Sequence, residues 1–292
     1  MTDILDMPDD VKISSPWAKL GLFLRLIGAG FLGLVVISLI FGALPDPVTK
    51  SSLMLKLLQM LSTIVLFGVP AFFYARMTYQ RRPLYHLGFR PASRRNFYLL
   101  AALLLLFAFP LEAWLGVVNR RIPLPGWMIR SEEAQDRQVV ALLAVKSSLD
   151  IFFNLVVVAI IPGIFEEMCF RGVLQDLLIK LTRRPWLGIF FSAFIFSFMH
   201  FQFLGFLPRL FLGILLGSAY WYSGSLWTAI LAHCLFNGIQ VLALNYMPAT
   251  MNDTNPSIPA YTVVISAVVV TAMLVVMRKQ SFRSIDNPVQ WR

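Results

Sequence analysis

Apolar runs of about twenty residues recur along this chain, which a soluble domain does not tolerate. "LGLFLRLIGAGFLGLVVISLIFGAL" (20–44), "FYLLAALLLLFAFPLEAWLGVV" (97–118) and "YTVVISAVVVTAMLVVM" (261–277) are three of them. At about 1.5 Å per residue, about 20 residues of helix match the roughly 30 Å hydrocarbon core of a bilayer. Composition agrees. Hydrophobic residues make up 58% of the 292, charged residues only 14%, where a soluble domain carries about a quarter; the mean hydropathy is +0.72. The expectation is an all-α fold, a polytopic membrane bundle of about eight transmembrane helices.

The eight spans are expected at about 20–44, 53–74, 97–118 (with a kink at Pro110), 146–180, 186–203, 207–222, 225–246 and 261–277. A polar connection containing "NRRIPLPGW" and "RSEEAQDRQ" separates the third from the fourth. The fourth stretch is too long for one straight span. A break or bend near Pro162–Gly163, or a short interfacial helix ahead of the membrane part, would accommodate it. The acidic, polar opening 1–18 reads as an N-terminal segment, with the first apolar run retained as a span. Residues 19–278 read as one membrane domain and 279–292 as a tail.

The net charge of +10 does not indicate nucleic acid as a partner. The basic residues cluster beside spans, as they do in cytoplasmic loops. With eight spans, "RMTYQRRPLYHLGFRPASRR", "KLTRRP" and "RKQSFR" all fall on one side. Both termini are then cytoplasmic, and the location is the cytoplasmic (inner) membrane. The two cysteines, Cys169 and Cys234, sit inside apolar stretches and read as small packed residues, with no disulfide framework or metal-binding spacing.

Ionisable groups inside spans mark functional sites, since each opposes insertion by about 2.5–3.5 kcal/mol. Two of the five glutamates are Glu166 and Glu167, and two of the three histidines are His200 and His233. Glu167 and Arg171 are four apart and can pair along their helix. Glu166 points about 100° away from Glu167 and is left to face a cavity. His233 and Asn237 share one helix face. Counting residues from the cytoplasmic ends places Glu166 and His200 roughly 20 Å deep, with His233 and Asn237 roughly 12–18 Å deep, so one layer can contain all four. A carboxylate and an imidazole beside a water form a general base. A His and an Asn can donate to an oxyanion. No Ser or Cys nucleophile with a nearby base is evident, and there is no H-E-x-x-H. Glu112 reads as a helix-end carboxylate reaching the outer interface, with lining of the same cavity as the alternative; Arg209 reads as an interfacial snorkelling residue, with binding of a substrate carboxylate or lipid head group as the alternative; and Gly213 with Gly217 reads as a close helix-packing face.

Three motifs then resemble those of the CPBP family, the type II CAAX prenyl endopeptidases and bacteriocin-processing or abortive-infection proteins. "EEMCFR" (166–171) resembles its E-E-x-x-x-R, "FSFMH" (196–200) its F-x-x-x-H and "HCLFN" (233–237) its H-x-x-x-N. The resemblance covers about 150–245. It implies an intramembrane endopeptidase of the glutamic type acting on peptide or protein substrates at the lipid bilayer. Glu166 would be the base, assisted by His200; His233 and Asn237 would stabilise the oxyanion; Glu167 and Arg171 would support them. No cofactor is expected. A zinc-dependent version of the same protease would take Glu166, His200 and His233 as ligands. A non-catalytic membrane protein for bacteriocin immunity or partner binding, and a small proton-coupled transporter, are the competing classes.

Overall fold

The computed structural model describes residues 11–45, 51–143, 145, 148–247 and 257–282; Lys146, the expected start of the fourth stretch, lies outside them. Helices α1 (Pro16–Gly42), α2 (Ser52–Thr78), α3 (Asn96–Arg120), α5 (Ser148–Thr182), α8 (Leu226–Tyr246) and α9 (Ala260–Gln280) are each long and apolar enough to cross a membrane. Helix α7 (Phe206–Ser223), together with the 3-10 turn Phe203–Gly205 that leads into it, makes a seventh such span. Helix α6 (Pro185–Phe198) is apolar but only 14 residues long. The chain is therefore an all-α, multi-pass membrane protein of about the expected span number.

Three expectations need correction. The polar connection after α3 contains an amphipathic helix, α4 (Gly126–Leu143). Residues such as "SEEAQDRQVVALL" are good helix formers, and their charges argue only against a span. Glu132 on α4 is buried and accepts a hydrogen bond from the Leu204 backbone N–H at 2.8 Å. Second, of the break or bend expected near Pro162–Gly163 the break is absent, and α5 runs through as one helix. A widened π-helical turn, Val156–Ile160, precedes the proline and keeps the helix continuous. A proline has no N–H for the carbonyl four residues back and crowds it, and a wide turn relieves both problems. The same device, Ile64–Gly68, precedes Pro70 in α2. Third, the fifth span does not reach Phe203. Helix α6 ends at Phe198, and Phe201 takes a left-handed backbone (φ 53°) just beyond it, a conformation that terminates helices.

Burial is the reverse of a soluble protein's. Leu32, Val35 and Leu39 of α1, Phe190 and Phe194 of α6 and Val264, Ile265 and Val268 of α9 face outward, where lipid solvates them. Glu167, Arg171, Gln175, Ser192 and Thr228 are enclosed and join helices, while the enclosed Ser218 bonds back to the Ile214 carbonyl of its own helix. Gln175 Nε2 donates to the Gly217 carbonyl at 3.0 Å, and the Ser192 hydroxyl to the Phe170 carbonyl at 2.9 Å. Such interhelical bonds contribute about 0.6 kcal/mol each in membrane proteins. Gly213 and Gly217 do lie at a close approach. A Cβ on Gly213 would stand 2.8 Å from that of Ala193, and one on Gly217 would meet the Gln175 side chain.

The two ends of the bundle are chemically different. At one end the Asn96 amide donates to Gln280 Oε1, Ser93 N–H to the Ser223 carbonyl, and Arg90 Nε to the Gly224 carbonyl at 2.8 Å. This end gathers the basic loop after α2, the turn after α5 and the end of α9. At the other end, Asn119 bridges the Phe203 carbonyl and the Leu207 N–H, Ser52 donates to the Leu142 carbonyl, and Lys56 pairs with Asp150 at 3.2 Å.

Candidate active site

Helix α5 carries Glu166 and Glu167 on its central turns, immediately before a second π-helical stretch, Met168–Gln175. π-bulges inside α-helices are frequent at functional sites. Glu167 is fully enclosed, and Arg171 is 1% exposed. Arg171 Nη1 lies 2.6 Å from Glu167 Oε1, and its Nη2 donates to the Gly213 carbonyl at 3.2 Å. The guanidinium also stands over the Phe196 ring, 4.6 Å from its centroid. The pair the spacing suggested is therefore present, with α7 and α6 closing around it. Glu167 Oε1 accepts a second bond, from His233 Nδ1 on α8 at 2.8 Å. One carboxylate oxygen thus ties α5 to both Arg171 and His233.

Glu166 has no such ties among the described residues. It lines a cavity of about 670 Å³, and the walls of that cavity also include His200, His233 and Asn237. His200 sits just past the end of α6. Its Nδ1 lies 2.8 Å from the Phe196 carbonyl. A carbonyl only accepts, so Nδ1 carries the hydrogen, and in the neutral ring Nε2 keeps its lone pair. That nitrogen can accept a hydrogen bond from water. His233 has the complementary constraint. With Nδ1–H engaged by Glu167, its Nε2 donates only when the ring is doubly protonated.

Asn237 holds the cavity's other wall. Its Nδ2 donates to the Val158 carbonyl at 3.1 Å. In a regular helix that carbonyl would receive the N–H of residue 162, which is a proline, so the amide of α8 compensates for a donor that α5 lacks. The second hydrogen of the same NH₂ remains to serve the cavity.

Glu112 and Arg209, read first as interfacial residues, both line the cavity, the alternative the sequence held for Glu112. Arg209 is held by Gln202, through its backbone carbonyl at 3.0 Å and its side-chain Oε1 at 2.9 Å. The shortness of α6 draws the following turn inward, and this brings Arg209 off the surface. Four glutamines, Gln59, Gln135, Gln202 and Gln240, share the wall. The sequence offered a signal for Gln59 and Gln240, as carboxamides within otherwise apolar spans. Gln135 became visible only once α4 folded over the cavity. The Nδ1 contacts of His200 and His233 leave each Nε2 toward the cavity, the arrangement in which a histidine can also serve a metal. Among the described residues no group of three or more His, Cys, Asp or Glu side chains stands close enough to hold a metal ion.

The chain is thus a multi-pass helical bundle with carboxylate, imidazole and carboxamide groups around a cavity within its core. Residues 148–239 match the family model described as type II CAAX prenyl endopeptidase Rce1-like. That segment contains all three motifs, and the match is to the CAAX-type membrane protease family that the motifs resemble. Neither the curated proteins nor the solved structures gave a match to the chain.

Proposed function

We propose that the chain is a glutamic-type intramembrane endopeptidase that hydrolyses peptide bonds of membrane-associated substrates. The supporting observation is that Glu166 from α5, His200 from the turn after α6, and His233 and Asn237 from α8 line one cavity. Glu166 takes a proton from a water that also donates to His200 Nε2. The resulting hydroxide adds to the scissile carbonyl, and the carbonyl oxygen becomes an oxyanion. Asn237 Nδ2 and the His233 ring donate to it, with Glu167 holding His233 through Nδ1. Collapse breaks the C–N bond, and the departing nitrogen takes the proton held by Glu166. Oxygen and protons balance, and no covalent enzyme intermediate forms. Location in a cytoplasmic membrane with both termini in the cytoplasm is part of this reading, since it follows from the basic end of the bundle.

Asn237→Ala separates an oxyanion role from simple helix joining. Loss of one oxyanion donor lowers kcat by about 10²–10³-fold, whereas loss of one hydrogen bond to Val158 lowers stability by only about 1 kcal/mol. Turnover in a reconstituted assay, measured beside a thermal melt, gives both numbers. An unchanged kcat with a lowered melting temperature would leave Asn237 as a joint only.

Chelation tests the zinc version. Activity is expected to persist in strong chelator, with substoichiometric metal by elemental analysis. Stoichiometric zinc whose removal stops turnover would replace the glutamic mechanism. The reading as a whole is tested by comparing the proteomes of cells carrying wild type or Glu166→Ala. Membrane-proximal peptides should accumulate uncut in the variant, and indistinguishable proteomes would count against proteolysis.

A further inference from the structure

The cavity and the positive charge lie at opposite ends of the bundle. Arg81, Arg82, Arg90, Arg94 and Arg95 follow α2, Arg183 and Arg184 follow α5, and Arg278 and Lys279 close α9; the hydrogen bonds of Asn96 to Gln280 and of Ser93 to Ser223 gather these segments at one end. At the opposite end Lys56, Arg120, Arg121, Arg130 and Arg209 stand with Glu112, Glu132, Glu133 and Asp150, close to a balance of charge, and the turn 199–205 carries no Asp, Glu, Lys or Arg. An excess of Lys and Arg in short loops marks the cytoplasmic side.

The cavity walls come from the less basic half. Gln59 lies in the early turns of α2, Gln135 on α4, Gln202 in the turn before α7, and Gln240 in the last two turns of α8. The short helix α6 fixes the depth. It starts at the basic end with Pro185 and stops after 14 residues, about 21 Å of a hydrocarbon core about 30 Å thick. Beyond it the chain turns as non-helical backbone through His200 and Gln202. Backbone without helical hydrogen bonds at membrane depth is tolerated where it is buried in protein or lines water. Here it lines the cavity, which therefore deepens from the face opposite the arginines.

We propose that the cavity admits its polypeptide substrate from the non-cytoplasmic face of the membrane, as an extended segment laid along its carboxamide wall. This rests on the proteolytic reading of the same cavity. A carboxamide offers a donor pair and an acceptor, the complement of a peptide backbone. Gln59, Gln135, Gln240 and Asn237 present such groups without concentrating charge of one sign. A segment held on the cytoplasmic leaflet meets the arginine-rich end, where α5, α6, α7 and α8 are joined by short turns.

The test reads the side of access and not cleavage, so it fails independently of the proteolytic reading. Gln240→Cys and Ser93→Cys are made singly in the full chain, and the parent, with Cys169 and Cys234, sets the background. A membrane-impermeant sulfonated maleimide is applied to sealed right-side-out and inverted vesicles. Gln240→Cys should label several-fold above background only in right-side-out vesicles, and Ser93→Cys only in inverted ones. Labelling of Gln240→Cys only from the inverted side, of both cysteines from the same side, or of Gln240→Cys from neither side overturns the proposal. Gln135→Cys on α4 gives the same reading if Gln240→Cys does not accumulate.

Discussion

Glu166→Gln should lower the hydrolytic rate by about 10²–10⁴-fold, the range for losing a positioned general base, with little change in folding. The two side chains have nearly the same shape, so the cavity wall keeps its form. Glu166 accepts no hydrogen bond from the described residues, so the substitution strands no donor. The amide has no lone pair basic enough to take a proton from water. A loss of 10³ corresponds to about 4 kcal/mol of transition-state stabilisation. It should fall on kcat, because the proton moves only in the chemical step. Single-turnover cleavage in proteoliposomes, beside a thermal melt, checks both halves. Wild-type turnover in a folded variant removes Glu166 from the mechanism.

The opposite pattern is expected at Arg171. Arg171→Met removes the cation from a Glu167 carboxylate that has no exposed surface. Removing one partner of a buried ion pair destabilises by about 3–5 kcal/mol, mostly through the charge left behind. The bond to the Gly213 carbonyl and the contact over Phe196 are lost as well. The midpoint of denaturant unfolding in mixed micelles should fall sharply. The double substitution Arg171→Met with Glu167→Leu should recover much of that loss, since no uncompensated charge remains. It should not recover activity, because His233 Nδ1 then has no carboxylate partner. A single variant as stable as the parent would mean that Glu167 is neutral in the fold.

Neighbouring carboxylates on one helix thus take opposite parts. Their spacing made a division legible, since adjacent residues point about 100° apart and only Glu167 is four from Arg171. Assigning the parts in space needed α8, because His233 Nδ1 meets Glu167 and Asn237 meets Val158. Glu112 and Arg209 are the pair for which the sequence left an interface and a cavity both open. Near a span end a charged residue usually reaches water, and nothing local distinguishes an interface from a recessed cavity. The 14-residue α6 makes that distinction, and its early end depends on the turn at Phe201. Helix α4 was read as a connection because hydropathy separates membrane from water and does not separate helix from loop.

Several features follow from the residues alone. Continuous apolar runs fix helices as the spanning elements, because each helix satisfies its own backbone hydrogen bonds in lipid. The clustering of arginine at alternate loops fixes the relative order of faces. The scarce ionisable residues within spans single out Glu166, Glu167, Arg171, His200 and His233. Tertiary structure alone decided which of these share a cavity, which are locked in an ion pair, and toward which end the cavity opens. Those outcomes depend on helix length, π-turns and rotation about the helix axis. A wide turn or a helix a few residues shorter re-aims every side chain beyond it, while the hydropathy of the segment stays the same.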